Sequence, residues 1–238
     1  MLKSIFYPTT QTAFVWISAL YLIFLLIIGK ADAMTILFVY FVETLIIGVF
    51  NALKMYKTIA FRKKEDGKIS FVLIPFFIFH YGFFVAIQSI FGFALFGMEA
   101  TNFIKEPFHI IENYGLIFQL EGIQYALPAI VFNHLGNFFF DFIKNKKYTK
   151  FEAHEIMFKP YVRIIIQQFV VILSFFFIAF GNAGLIAALI LIALRLCIDL
   201  GLNAIKEDSE ILDYLSSKLA NQKASKEEIK KQLLNFTE

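Results

Sequence analysis

Two histidines and a glutamate, His80, His134 and Glu43, lie inside long apolar runs. An ionisable side chain placed there costs roughly 2.5–3.5 kcal/mol on insertion, so each needs a partner or a use. Imidazole and carboxylate suit zinc, iron and other divalent first-row metals, and a metal held with one open position activates water. The same groups can relay protons, because the unperturbed pKa of histidine lies nearest neutrality. His80, His134 and Glu43 are therefore the candidate catalytic residues and, together, the candidate ligands of a divalent metal. A second polar set could bind or position a substrate: Asn51, Tyr81, Gln88, Asn133, Asn137, Asp141, Arg163, Gln168, Arg195 and Asp199.

These positions are not scattered. At about 100° per residue, Asn133, His134, Asn137 and Asp141 share an arc of roughly 100°, while Glu43, Asn51 and Lys54 share roughly 80°, as do Arg195, Asp199 and Asn203. Such stripes face protein or water, not lipid. At ~1.5 Å per residue, His80, His134 and Arg195 fall ~15 Å deep and Glu43 ~18 Å, with Gln168, Asp199, Asn137, Asn203 and Asp141 nearer the cytoplasm. The pattern predicts a polar cavity opening inward. Structural readings stand beside it: a Glu43–Arg195 ion pair tying two helices, and an interhelical hydrogen bond at His80. His109 and His154 fall in connections and read as solvated.

The elements that must position these residues are six apolar stretches at 11–29, 34–55, 70–97, 121–142, 161–181 and 184–205. About 20 residues cross a ~30 Å hydrocarbon core. The whole chain of 238 residues is 59% hydrophobic, 18% aromatic and only 17% charged, with mean hydropathy +0.69. Soluble domains carry about a quarter charged residues, so soluble enzyme folds, disordered scaffolds and cytosolic nucleic-acid binders are excluded. The net charge of +3 comes in blocks. Lys57, Arg62, Lys63, Lys64 and Lys68 crowd the second connection, and Lys144, Lys146, Lys147, Lys150 and Lys159 the fourth, whereas the first, third and fifth hold only Lys30 and Lys105. That asymmetry is membrane topology, not a nucleic-acid footprint, and the positive-inside rule puts both termini in the cytoplasm.

The expectation is an all-α polytopic integral membrane protein: a six-helix transmembrane domain over 1–205 and a cytoplasmic amphipathic tail over 206–238. A rival reading takes Lys3, the first apolar run and Ala31-Asp32-Ala33 as a signal peptide with a small-residue cleavage site. Residues 99–120 mix apolar and charged positions at helical spacing and are expected to lie in the outer interface. In the tail, Ile211, Leu212, Leu215 and Leu219 form one stripe, and Ser225 with Glu228 predicts a capping box opening a second helix. This tail could dock on the basic loops, on lipid or on a cytoplasmic partner. The single cysteine, Cys197, permits neither an internal disulfide nor a cysteine-based zinc site.

Tyr40-Phe41-Val42-Glu43, the run from Ile47 and Gly48 through Asn51 to Lys54, and Phe76-Phe77-Ile78-Phe79-His80-Tyr81-Gly82 resemble a family of uncharacterised bacterial multi-pass membrane proteins. Asn133-His134-Leu135-Gly136-Asn137, Lys159-Pro160-Tyr161-Val162-Arg163-Ile164 and Asp199-Leu200-Gly201 follow in the same order, so the resemblance covers roughly residues 15–205. It implies the bacterial cytoplasmic membrane and is silent on activity. Where that family carries histidines, this chain has Gln88 and Gln168, which thins any metal-ligand set. Phe76 four residues before His80 is also similar to a motif of glutamate-dependent CAAX-protease-like membrane proteins, but Thr44 follows Glu43 where that family has a second glutamate. Three functions stay open: an intramembrane enzyme, metal-dependent or not; a small-solute or proton-coupled carrier, to which a homo-oligomer could supply further helices; and an assembly protein.

Overall fold

The computed structural model describes residues 12–66, 71–98, 103–180, 184–205, 209–221 and 224–236. Helix α1 (Ala13–Ile27) is apolar all round and ends where Gly29 takes φ +70, a left-handed turn that favours glycine. The Lys30 and Ala31 amides donate back to the Leu25 carbonyl at 2.9 and 3.2 Å, closing the turn. Asp32 Oδ1 then accepts from the Thr35 amide at 2.7 Å and starts α2 (Ala33–Asp66). In the Ala31-Asp32-Ala33 segment that looks like a cleavage site, the two alanines are buried and the exposed Asp32 caps the next helix.

Helix α2 is the axis of the molecule. Its 34 residues reach about 51 Å at 1.5 Å per residue, well beyond a ~30 Å hydrocarbon core. It packs against α3 (Leu73–Met98), α5 (Glu121–Gly136), α7 (Ala153–Phe180) and α8 (Gly184–Ala204). Every residue from Ile36 to Val42 is buried, the pattern of a helix with protein on all sides. On α3, by contrast, Phe76, Phe79, Phe83 and Phe91 point outward, which suits contact with lipid chains.

Between α3 and α5 lies α4 (Ile110–Gln119), fastened by Asn113. That side chain accepts from the Lys105 amide at 2.8 Å and donates to the Glu106 carbonyl at 3.1 Å, while Tyr114 and Ile117 turn inward and Ile111 outward. Helix α5 runs directly into a π-helical segment, Asn137–Ile143, followed by the single turn α6 (Lys147–Lys150).

Each of the six expected apolar stretches contains a helix, and no strand occurs among the described residues. Among the described residues, three helical stretches, Ala33–Lys63, Leu73–Gly97 and Glu121–Ile143, are long and apolar enough to cross a membrane. The fold is all-α, and its helices fit a membrane protein.

The tail forms a hairpin of α9 (Glu210–Leu219) and α10 (Lys226–Phe236), with α10 also against α7. The capping box is present: Glu228 Oε2 accepts from the Ser225 amide at 2.8 Å, and Ser225 Oγ from the Glu228 amide at 3.3 Å. Leu212 is fully buried, whereas Leu219 of the same expected stripe is half exposed. Lys230 Nζ lies 2.8 Å from Asp213 Oδ1, and this ammonium, aided by Lys226, holds the Asp213 carboxyl below the usual carboxylate range. A depressed folded pKa means that the stabilisation is present above the unfolded value of ~3.9 and is lost as pH falls through the folded one. Hydrogen exchange in α9 and α10, corrected for intrinsic rates, should accelerate below about pH 4. Asp213→Asn should reduce that acid dependence, leaving the part that comes from the Glu228 carboxylate in the α10 cap, which Ser225 also holds below its usual range.

Candidate functional site

Five side chains from four helices join at the centre. Glu43 on α2 is wholly buried, and its Oε1 accepts from His134 Nε2 on α5 and from Arg195 Nη2 on α8, both at 2.7 Å. One turn along α8, Asp199 Oδ2 lies 3.4 Å from Arg195 Nε, and Asp199 Oδ1 accepts from Arg163 Nη2 on α7. Two carboxylates and two guanidiniums balance with His134 neutral, the condition under which buried charge is tolerable. An arginine can only donate, so Glu43 Oε1 is an acceptor, and the network assigns the shared proton to His134 Nε2. That leaves Nδ1 as the basic nitrogen of the neutral ring. The second carboxylate oxygen, Glu43 Oε2, has no hydrogen-bond partner among the described residues.

His134 also belongs to the wall of a cleft. The cleft has a volume of about 40 Å³, and its polar lining is Asn51, Lys54, His134, Asn137, Lys159, Arg163 and Asn203. It lies toward the end of the helices that carries the basic blocks. On the other side of Glu43 and Arg195 is a void of about 10 Å³ bordered by Ser18, Tyr40, Asn133 and Asp199. Asn133 is tied to the cleft through its Oδ1, which accepts from Asn137 Nδ2 at 3.4 Å.

Several expected site residues lie elsewhere. His80 does not join Glu43 and His134: its Nδ1 meets Tyr161 Oη at 2.6 Å, and its ring stacks on Phe76 at 5.5 Å between centroids. Tyr81 Oη donates to the Thr44 carbonyl at 2.7 Å, a link from α3 to α2. Asp141 is buried, but its carboxylate bonds Lys147 Nζ at 2.5 Å and Asn145 Nδ2 at 3.3 Å rather than lining the cleft. Gln88 is buried with neither amide atom hydrogen-bonded among the described residues, and Gln168 Oε1 is in the same condition. His109 and His154 are about half exposed, beside Glu112 and Glu152.

One wall residue, Lys159, reads in the sequence as a topology charge. The signal that could have found it is its spacing: four residues before Arg163, it shares a helix face with that arginine.

A profile described as a family of unknown function (DUF6498) matches residues 1–227. The chain belongs to that family. No curated protein and no solved structure matches it. What this DUF6498 member can do chemically therefore rests on its own geometry. A divalent metal does not fit the residues present. Only Glu43 and His134 of the expected ligands meet, the carboxylate oxygen they share is also held by Arg195, and no three His, Cys, Asp or Glu side chains form a ligand group among the described residues. An imidazole oriented by a carboxylate and facing a polar cleft is instead the arrangement of a proton acceptor and donor.

Proposed function

We propose that this chain spans the bacterial cytoplasmic membrane six times with both termini in the cytoplasm, and that its cleft is an intramembrane active site open to that side. In this reading His134 is the general acid and base, Glu43 orients it, and no metal takes part. The observation that carries the reading is that one imidazole both lines the cleft and is anchored through Nε2 by a wholly buried carboxylate. A positioned acid–base group contributes typically 10²–10⁴ in rate, on the order of what a dyad can supply. The basic blocks of the second and fourth connections support the orientation.

A carrier reading is favoured by one feature, the void beyond Glu43 and Arg195, which extends the line of polar side chains past the cleft. Release of a solute preloaded in liposomes would support it.

The acid–base reading is tested with diethyl pyrocarbonate, which acylates neutral imidazole. In inside-out vesicles, peptide mass spectrometry should find His134 modified, and in right-side-out vesicles protected. Exposed His154 serves as the internal standard for loop reactivity. If His154 reacts and His134 stays unmodified in both orientations, the cleft is sealed and the reading fails.

A further inference from the structure

We infer that the cleft binds a protonated oxyanion of the phosphate type, either inorganic phosphate or the terminal phosphoryl group of a lipid headgroup. This rests on the cleft being open to solution, as proposed above. The wall carries Lys54, Lys159 and Arg163 together with His134 and three asparagines, and among the described residues no aspartate or glutamate lines it. Asp199 and Glu43 bond Arg163 and His134 from behind the wall. A cleft so lined repels cations and attracts anions.

Asn51 supplies an independent sign of a ligand. It is only 4% exposed, it lines the cleft, and its Nδ2 has no hydrogen-bond partner among the described residues. A buried N–H without an acceptor is unfavourable, and a ligand oxygen would satisfy it.

The remaining amides narrow the chemistry. Asn203 Nδ2 donates to the Asp199 carbonyl at 2.9 Å and Asn137 Nδ2 to Asn133 Oδ1, so both leave their amide oxygens as acceptors. An anion that also carries a hydroxyl matches this mixture of donors and acceptors. Monohydrogen and dihydrogen phosphate do, and sulfate at neutral pH does not. The volume of about 40 Å³ holds about three water-sized groups, enough for a tetrahedral head but not for a whole organic solute.

The test uses the full chain in phosphatidylcholine nanodiscs at pH 7. Calorimetric titration with inorganic phosphate should show binding at least tenfold tighter than with sulfate. Asn51→Ala and Lys159→Gln, each checked for helicity and monodispersity, should weaken phosphate at least tenfold. The contrast between phosphate and sulfate is read on the wild type and needs no variant to fold. If free phosphate does not bind, nanodiscs doped with phosphatidic acid are analysed by native mass spectrometry. Retention of that lipid by the wild type, lost in the variants, identifies the headgroup as the source. Equal binding of sulfate, indifference to the substitutions, or no binding of either phosphate source overturns the inference. Labelling of His134 without phosphate binding would leave the cleft reading standing and this one fallen. A sealed His134 would remove the cleft reading itself.

Discussion

Glu43→Ala is expected to destabilise the folded chain by about 3–5 kcal/mol, the cost of stranding a buried charge by removing its partner. Arg195 is 2% exposed, and its contact with Glu43 is its direct hydrogen bond to the neighbouring helix α2. The same substitution takes the acceptor from His134 Nε2. Its guanidinium would keep Asp199, but Asp199 is also engaged by Arg163, so one positive charge is left over. Glu43→Gln retains volume and an acceptor and should cost less. Replacing both partners by leucine should cost less than Glu43→Ala alone, because an apolar pair of similar size leaves no charge stranded. Unfolding in mixed micelles, followed by circular dichroism, measures all three. A loss below about 1 kcal/mol for Glu43→Ala would mean that water already screens the pair, the behaviour of surface ion pairs.

That network is half legible in the sequence. A charge in an apolar run must be paired, and Glu43 and Arg195 at similar depth are a natural couple. Depth, however, is only one of the two coordinates that place a side chain. His80 and His134 come out equally deep, but which neighbour each helix face meets is set by packing, and α3 turns His80 to Tyr161 on α7. Asp141 escaped for a different reason. The stripe from Asn133 to Asp141 assumes uniform 100° steps, whereas the chain beyond Asn137 winds as a π-helix, which shifts the register of everything after it. Helix α2 overran its expected end at residue 55 because the stretch to Asp66, though charged, is rich in helix formers. Apolarity marks where a helix meets lipid and says little about where it stops. Lys159 shows the converse ambiguity, since one lysine can count toward topology and also stand in the cleft wall.

Gly136→Ala separates two opposing effects at the contact of α1 with α5. Alanine is favoured over glycine in a helix interior by about 1 kcal/mol. Against this, a methyl at Gly136 would stand 2.5 and 2.6 Å from the two Cδ atoms of Phe14, closer than real side chains approach. The Phe14 ring is flanked by Phe132 and Phe140, at 5.9 and 5.3 Å between centroids, so it cannot swing aside without disturbing both. Overpacking of this kind costs typically 1–3 kcal/mol, so after the propensity gain the net result should be a loss of up to about 2 kcal/mol. Phe14→Leu combined with Gly136→Ala should recover most of it, giving a coupling energy that neither single change predicts. The contact lies two residues from His134, so a rigid displacement of α5 would also move the imidazole relative to Glu43. The rate of His134 acylation should therefore change in Gly136→Ala and return toward wild type in the double variant. Stabilisation by Gly136→Ala would instead mean that Phe14 turns outward at little cost and that helix propensity alone decides the outcome.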